Sequence, residues 1–386
     1  PCLSLLAPRT LMQYTRNRHV PQNRKTRGNP ITPLQDKAIF LMWCALLLWC
    51  FSVQIFTQDL VRKSEFIYQT APFPSAHAST IVETNGRLVS AWFGGTAEGN
   101  PDVAIWVAHQ EQDGWSPPVE VANGIQPDGT RYPCWNPVLF QPRDGPLLLF
   151  YKVGPNPREW WGLVRISDDA GRTWSEAVPL PDDILGPIRA KPYQLKNGTL
   201  LAGSSTEHNG WVSHMEHFDP GNPHNWSRRQ LASREQWQRS VPLNNSEEFG
   251  AIQPTILDHE DGQFQALFRS RQGVITESWS NDSGITWDRM KHTSLPNPSA
   301  GIDALSLKNG QHLLIYNPTT NGREKLAVAL SSDGKDWTLI HVLEDGDGEY
   351  SYPSAIQATN ELVHITYTWK RTRIKHVVLD PKLLTP

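Results

Sequence analysis

Apolar and polar positions along most of the chain follow one repeated pattern, a tight turn and then a run of apolar or alternating residues. Five of the six turns are Asn-Gly or Asp-Gly, the dipeptides that supply the positive φ angles of short hairpin turns. The six turns begin at Asn85, Asp144, Asn197, Asp261, Asn309 and Asn360. Each turn predicts a β-hairpin, and their roughly regular spacing predicts a repeated sheet.

A second motif runs in phase with the hairpins. It is a polar turn containing Asp and Gly that ends in Trp, whose ring can plug the layer beneath. Three clear copies and two weaker ones are Ile166–Trp174, Trp279–Trp287, Leu330–Trp337, Asp113–Trp115 and Phe218–Trp226. Their Trp residues lie about 50–60 positions apart, a period typical of propeller blades. The two series predict an all-β fold for residues 71–383, a six-bladed β-propeller, with an irregular β-sandwich as the alternative.

The first 70 residues have a different pattern. Residues 1–37 are basic, contain Asp36 as their one acid and show no apolar periodicity, so they predict a disordered tail. Residues 38–56 carry no charge, and that length is sufficient for one membrane-spanning helix. The basic flank would place the propeller on the extracytoplasmic or lumenal side, beyond a linker at 57–70. The alternative is a cleaved signal peptide and a secreted protein.

Composition excludes several classes of function. The net charge of −3 gives no reason to expect nucleic acid as a partner. Cys134 is the one cysteine in the predicted propeller, so an internal disulfide is not expected there. No Cys/His spacing of a metal site occurs, and neither a metal nor another cofactor is predicted. The 16 Trp residues suit a β protein that stacks on sugars.

One polar residue stands at the start of the first strand of each predicted blade, before Pro in four blades and before Ala in two. The innermost strands of a propeller line its central channel, so we expect these side chains to form a ring at one mouth. The ring consists of His77, Asn136, Lys191, Gln253, Asp303 and Tyr352. Because each buried polar group needs a partner, the ring predicts a ligand site, with a water-filled channel as the alternative.

Loops at the same mouth add further charged and aromatic residues. The loop Gly94–Asp102 brings two carboxylates, Glu98 and Asp102. The loops of the other blades bring Lys152, Trp160, Trp161, Glu207, His208, Trp211, Arg269, Arg271, Asn317, Trp369, Lys370 and Arg371. Carboxylates combined with Tyr, Arg, Lys and Trp are typical of a sugar site that also holds an acidic group.

The aspartate turns resemble the Asp-boxes, or BNR repeats, of the sialidase (neuraminidase) superfamily. The resemblance covers about residues 70–380 and is strongest to the "predicted neuraminidase" branch. It implies an exo-acting glycosidase that removes a terminal sialic acid or another acidic sugar from glycans. In that superfamily the Asp-box is structural and lies away from the active site.

The resemblance also implies roles for particular residues. Sialidases use a Tyr nucleophile paired with a Glu, an acid/base Asp and three Arg residues that bind the substrate carboxylate. Tyr352 or Tyr350 stands at the place of the nucleophile, and Glu98 or Asp102 at the place of the acid/base. Arg269 or Arg271 falls near the place of the second arginine. Together with the ring and its loops, the residues expected to contact the sugar are His77, Trp135, Asn136, Arg189, Lys191, Arg269, Arg271 and Tyr350.

The chain departs from the superfamily pattern at three places. His77 replaces the first arginine, Gln253 replaces the glutamate partner of the tyrosine, and Asp303 stands near the place of the third arginine. A different catalytic set is therefore open, with Glu98 as acid and Asp303 as base or nucleophile, and with Lys191 or an arginine holding a uronic acid. Another glycosidase, a polysaccharide lyase and a catalytically silent glycan-binding propeller remain alternatives.

Overall fold

The computed structural model of the protein describes residues 59–222 and 226–384, and these residues form six separate antiparallel sheets. Within these ranges the helical structure consists of one short α-helix, α1 (Arg228–Leu231), and two 3₁₀ turns, Arg234–Gln236 and Pro381–Leu383. The predicted all-β, six-bladed β-propeller is confirmed.

Each sheet is one blade, and five of the six blades follow one another along the chain without exchange of strands. The first strand, β1 (Val61–Phe66), belongs to the last blade. Blades one to three contain β2 (Ser75–Thr84), β3 (Arg87–Gly95), β4 (Ala104–Glu111), β5 (Gly114–Trp115) and β6 (Val119–Ala122); β7 (Cys134–Phe140), β8 (Leu147–Val153), β9 (Trp161–Ser167) and β10 (Val178–Pro179); and β11 (Tyr193–Gln194), β12 (Leu200–Thr206), β13 (Val212–Phe218) and β14 (Trp237–Arg239). Blades four to six contain β15 (Ala251–Asp258), β16 (Phe264–Ser270), β17 (Val274–Ser280) and β18 (Lys291–Pro296); β19 (Asp303–Ser306), β20 (His312–Tyr316), β21 (Lys325–Ser331) and β22 (Thr338–Asp345); and β23 (Tyr350–Gln357), β24 (Val363–Trp369), β25 (Arg373–Leu379) and β1.

The predicted hairpins join the first and second strands of the blades. Gly86, between β2 and β3, has a φ of 70°, and Gly198, between β11 and β12, has a φ of 97°. In blade six the corresponding position is Glu361, which adopts a φ of 68° although it has a side chain. Asn-Gly and Asp-Gly predict the hairpins correctly because these turns require a residue with positive φ. In the sixth turn Glu361 adopts that conformation at the cost of backbone strain.

The aspartate turns connect the third and fourth strands, at the periphery of the blades. In blade two, Asp169 accepts hydrogen bonds from the backbone N–H of Thr173 at 2.8 Å and from its hydroxyl at 2.6 Å. Asp282 and Thr286 repeat this arrangement in blade four. These polar groups form hydrogen bonds within the turn itself, so the Asp-boxes have a structural role.

The sixth sheet is closed by the N-terminal strand. Strand β1 pairs with β25, with Val61 opposite Leu379 and Glu65 opposite His376. The sequence pattern assigned this segment to the linker 57–70, whereas in the structure it is the outer strand of blade six. The ring is thus completed by hydrogen bonds between the two ends of the described chain.

Apolar side chains fill the space between neighbouring sheets. Val107 and Leu149 belong to one cluster that joins blades one and two, and Val328 and Ile365 belong to another that joins blades five and six; all four are fully buried. The burial of apolar surface between sheets is the main stabilising term of such a fold.

The predicted N-terminal tail (1–37) and apolar helix (38–56) lie outside the described residues, so both stay predictions. In the ranges that the structure describes, no helix combines the length and the apolar character needed to cross a bilayer.

Candidate active site

Bulges in the first strands shape one mouth of the channel. In blades one, two, four and six the pairing with the second strand shifts near the strand's start. The bulged residues, whose φ values are 54°, 41°, 58° and 53°, are Ala78, Asn136, Gln253 and Tyr352. A bulge changes the direction of a side chain, and each positive φ at a non-glycine residue costs on the order of 1–3 kcal/mol. Backbone strain is therefore present at this mouth.

The register places the predicted ring residues at different levels. Asn136, Gln253 and Tyr352 occupy the bulges, but His77 precedes the bulge of blade one and pairs with Phe93. Asp303 pairs with Ile315 in blade five, and the equivalent pair in blade four is Thr255 with Leu267. Asp303 therefore corresponds to Thr255, two residues beyond the bulged Gln253. In blade three the strand starts only at Tyr193, and the residue with positive φ is Arg189, at 76°. The prediction of one ring of six polar side chains is therefore wrong. Bulges shift the strands relative to one another, so positions that match along the sequence do not lie at one level.

Lys191 and Asp303 form a second polar level inside the channel. The Lys191 ammonium donates to the Ser354 hydroxyl at 2.6 Å and lies 3.4 Å from an Asp303 oxygen. Asp303 also accepts hydrogen bonds from the Thr255 hydroxyl at 3.1 Å and from the Ala355 N–H at 2.8 Å. Burial lowers the pKa of Lys191, and the Asp303 charge opposes that change. Both groups have protein partners, and their contacts connect different blades. They border a cavity of about 910 Å³ at the opposite mouth of the channel, so they are not part of the first mouth.

Tyr352 is the centre of the first mouth. Its hydroxyl is hydrogen-bonded to Arg269. The guanidinium carbons of Arg189, Arg269 and Arg323 lie 5.4, 5.6 and 5.6 Å from the centroid of its ring. The His77 ring lies 4.1 Å away, centroid to centroid. Three guanidinium groups around one aromatic ring can hold a carboxylate through paired N–H donors.

Each arginine of this cluster comes from a different blade. Arg189, from blade three, is buried and donates to the Ser79 carbonyl at 3.2 Å, while its Nε and one Nη have no protein partner within the described ranges. Arg323, from blade five, donates to Glu349 at 2.9 Å. Gly301 leaves space for the cluster, because a Cβ there would come within 3.3 Å of the Arg189 Nε and 3.2 Å of the Tyr352 ring.

His77 contributes a neutral group to the cluster. Burial lowers its pKa well below the usual value, and the charges of Arg371, Arg323, Arg189 and Arg269 lower it further. Neither ring nitrogen has a hydrogen-bond partner among the described residues. His77 therefore does not restore the arginine that it replaces, but it can donate to or accept from a ligand.

The two carboxylates predicted on the blade-one loop are already engaged. Asp102 accepts hydrogen bonds from the N–H and the hydroxyl of Thr96, both at 2.8 Å, and so supports the loop. Glu98 is paired with Arg371, which also donates to Glu349 at 2.8 Å. Although burial acts to raise the pKa of Glu349, hydrogen bonds from Arg371 and Ser351 lower it overall. This network ties the rims of blades one, five and six together.

The remaining predicted site residues form the walls. Gln253 is buried, and its Oε1 has no protein partner in the described chain. Trp135 donates to the Gly154 carbonyl at 2.9 Å, and Tyr350 donates to the Asp347 carbonyl at 3.2 Å, so both are fixed by the backbone. Arg271 is exposed and stacks on Trp211, 4.3 Å from the ring centroid.

Arg323 and Glu349 are the site residues that the sequence pattern did not reveal. Arg323 lies on the loop between the second and third strands of blade five, the loop type that carries Arg271 in blade four. The residue singled out on that loop was Asn317, whose amide donates to the Lys325 and Tyr350 carbonyls and supports the backbone. A search of every such loop for arginine would have found Arg323. In the described part of the chain, no group of His, Cys, Asp and Glu could hold a metal ion.

Comparison with known proteins agrees with the architecture. Residues 86–365 match the BNR repeat-like domain family. Similar solved structures include a Dyadobacter fermentans protein of unknown function (19% identity, 83% of this chain, 99% of that chain, TM-score 0.64) and the Hadza microbial sialidase Hz136 (18%, 81%, 66%, 0.65). Another is a Penicillium chrysogenum α-L-arabinanase complexed with arabinobiose (14% identity, 85% of this chain, 100% of that chain, TM-score 0.62). No curated protein matches the sequence. At these identities the structural likeness shows the fold alone.

Proposed function

Because this chain belongs to the BNR repeat-like domain family, we propose that it is an exo-acting glycoside hydrolase that removes a terminal acidic sugar, such as a sialic acid, from glycans. The observation that carries the proposal is the arrangement of Arg189, Arg269 and Arg323 around Tyr352. The glycosidases among its structural neighbours support a sugar as the substrate.

An acidic sugar suits this site better than a neutral one. Buried or half-buried guanidinium groups are costly when they stay unpaired, and Arg189 keeps two nitrogens without a protein partner in the described ranges. A substrate carboxylate would supply the missing acceptor through two parallel hydrogen bonds. A neutral sugar would leave that charge uncompensated, so its binding would be weaker.

In this proposal Tyr352 acts as the nucleophile. Hydrolysis of a glycoside needs an acid that protonates the leaving oxygen and a group that receives the anomeric carbon. In the first step the Tyr352 oxygen bonds to that carbon as the glycosidic bond breaks, and the phenol proton passes to water. In the second step water displaces the tyrosine, which regains its proton. A neutral phenol avoids the repulsion that a carboxylate nucleophile would meet from an acidic substrate.

Gln253 favours a second candidate, a glycan-binding propeller without catalytic turnover. A carboxamide cannot take the phenol proton, and no carboxylate lies within hydrogen-bond distance of the Tyr352 hydroxyl in the described chain. Such a protein would use the arginine cluster to bind acidic glycans and would release them unchanged.

The deciding experiment uses the purified protein with 4-methylumbelliferyl glycosides of N-acetylneuraminic acid, glucuronic acid, rhamnose and arabinose. We expect fluorescence from an acidic glycoside only. Release from a neutral glycoside alone would contradict the acidic-sugar proposal. Calorimetric binding of N-acetylneuraminic acid without release from any glycoside would favour the binding propeller.

A further inference from the structure

We propose that Glu207 is the general acid of this site and that the cavity beside it holds the sugar on the leaving side of the cleaved bond. The proposal rests on the proposed glycosidase function and adds the residue that supplies the proton. It replaces Glu98 and Asp102 in that role.

Glu207 is connected to the centre of the site through two side chains. It follows β12 directly, on the rim of blade three, and accepts a hydrogen bond from the Trp211 indole N–H at 2.9 Å. The Trp211 ring packs on the Arg269 guanidinium, 4.9 Å from its centroid. Arg269 in turn is hydrogen-bonded to the Tyr352 hydroxyl. The position of Glu207 is therefore fixed relative to the nucleophile.

The other carboxyl groups of the mouth are already engaged by neighbouring residues. Glu98 and Glu349 are paired with guanidinium groups, and Asp102 accepts two hydrogen bonds from Thr96. A general acid must carry its proton at the working pH. The hydrogen bonds that lower the pKa of Glu349 make it a poor proton donor, while Glu98 and Asp102 serve the rim and the loop.

Glu207 has the opposite environment. Its hydrogen-bond partner among the described residues is the neutral Trp211, and it is partly buried. Burial raises its pKa, while the charges of Arg269, Arg271 and Arg158 and the bond from Trp211 oppose that change without reversing it. A carboxyl group whose surroundings favour the protonated form is the arrangement that general acid catalysis requires.

A cavity of about 240 Å³ lies between the rims of blades two and three, directly beside Glu207. Its lining includes Arg158, Trp160, Glu207, His208 and Arg239. Its volume is below the roughly 300–1,000 Å³ of complete small-molecule pockets, so it fits a single sugar unit. Trp160 packs against Trp135, 6.1 Å between centroids, and its indole N–H has no protein partner in the described chain. That donor and the neighbouring charged side chains suit sugar hydroxyls.

The Glu207 proton moves to the glycosidic oxygen as the bond to the anomeric carbon breaks, and the electron pair of that bond stays on the leaving oxygen. The leaving sugar departs from the cavity as an alcohol. The Glu207 carboxylate then takes a proton from the water that hydrolyses the glycosyl–Tyr352 intermediate, which restores the acid.

The test compares Glu207→Gln with wild type on two glycosides of the same acidic sugar. In the first the leaving group is a second sugar, whose oxygen must be protonated as it departs. In the other the leaving group is 2,4-dinitrophenolate, which departs without protonation. We expect the variant to lose at least about 100-fold in kcat on the first and to stay within a few-fold of wild type on the second. We also expect the alkaline limb of its kcat profile to disappear. Equal losses on both substrates, or no loss on either, would overturn the role of Glu207.

Two further measurements separate this role from the glycosidase function. Glu235→Gln makes the same chemical change at an exposed position outside the site and should match wild type on both substrates. The carboxyl ¹³C resonance that Glu207→Gln removes should titrate in wild type above the value of about 4.3 usual for Glu. A midpoint at or below that value would refute the role of Glu207 even without turnover, whereas absence of turnover by wild type would refute the glycosidase function.

Discussion

A chain of three titratable side chains is buried where the N-terminal strand joins blade six. His376 on β25 donates from Nδ1 to Glu65 on β1 at 3.1 Å, and its Nε2 lies 3.0 Å from the Nδ1 of His364 on β24. Since the His376 proton faces the carboxylate, its Nε2 accepts and His364 is the donor. The Nε2 of His364 then has no protein partner in the described ranges. We predict that this chain makes the fold sensitive to acid.

The magnitude follows from the pKa of His364. Burial lowers it from 6.5 to about 4, and the charges of His376 and Lys63 contribute to that change. At about 1.4 kcal/mol per pH unit, the difference corresponds to about 3 kcal/mol. Because the pKa is lower in the folded state, the unfolded chain takes up the proton first. The contribution is therefore present above pH 6.5, decreases as the pH falls towards 4, and is lost below that.

Glu65 acts in a different pH range. Although burial acts to raise its pKa, hydrogen bonds from His376, Lys63 and Trp115 lower it to about 2. Its stabilising contribution therefore decreases only as the pH falls below about 4.5. Between pH 6.5 and 4.5 the histidine effect dominates this part of the fold.

The assay is urea unfolding of wild type and His364→Phe at intervals from pH 7 to 4. We expect the free energy of unfolding of wild type to fall by about 3 kcal/mol more than that of the variant over this range. His292→Gln, which removes an exposed histidine, should keep the wild-type slope. Parallel losses in wild type and His364→Phe would refute the reasoning.

Three further predictions concern the channel. Tyr352→Phe should lose most turnover and keep the β-type circular dichroism of wild type; full turnover would remove its role as nucleophile. Arg323→Ala should raise KM for the acidic glycoside with little change in kcat, and an unchanged KM would argue against carboxylate binding. Asp303→Ala leaves the partly buried Lys191 ammonium without its anion and should cost about 1–3 kcal/mol in urea unfolding; no measurable loss would show that the pair is not needed.

The fold was predictable because its signals are local. An Asn-Gly turn or an Asp-box spans fewer than ten residues, and those residues alone determine its geometry. Strand β1 was not predictable in the same way. Its sequence, Val-Arg-Lys-Ser-Glu-Phe, has the charged character common on edge strands, and its partner β25 lies more than 300 positions away in the chain.

The site was predictable in its location and less so in its members. Tyr352, Gln253 and Asn136 lie where the polar residue before Pro indicated, because each occupies a bulge. The count failed at Lys191 and Asp303, since strand starts differ between blades and a shift of two residues moves a side chain to another level. Arg323 reaches Tyr352 from a loop, and its distance from the ring depends on loop conformation that the residue pattern does not encode.

The closure of blade six by β1 has a consequence for the order in which the chain folds. During synthesis β1 is made before any blade, yet its partner β25 is completed last, so the sheet that holds both ends cannot form until the propeller has left the ribosome. Blades one to five use only neighbouring strands and can assemble earlier. The final pairing joins residues as distant along the chain as Val61 and Leu379, and the assembled blades bring them together in space. Until it occurs, β25 presents an unpaired edge to other chains, and β1 covers that edge once the two strands pair.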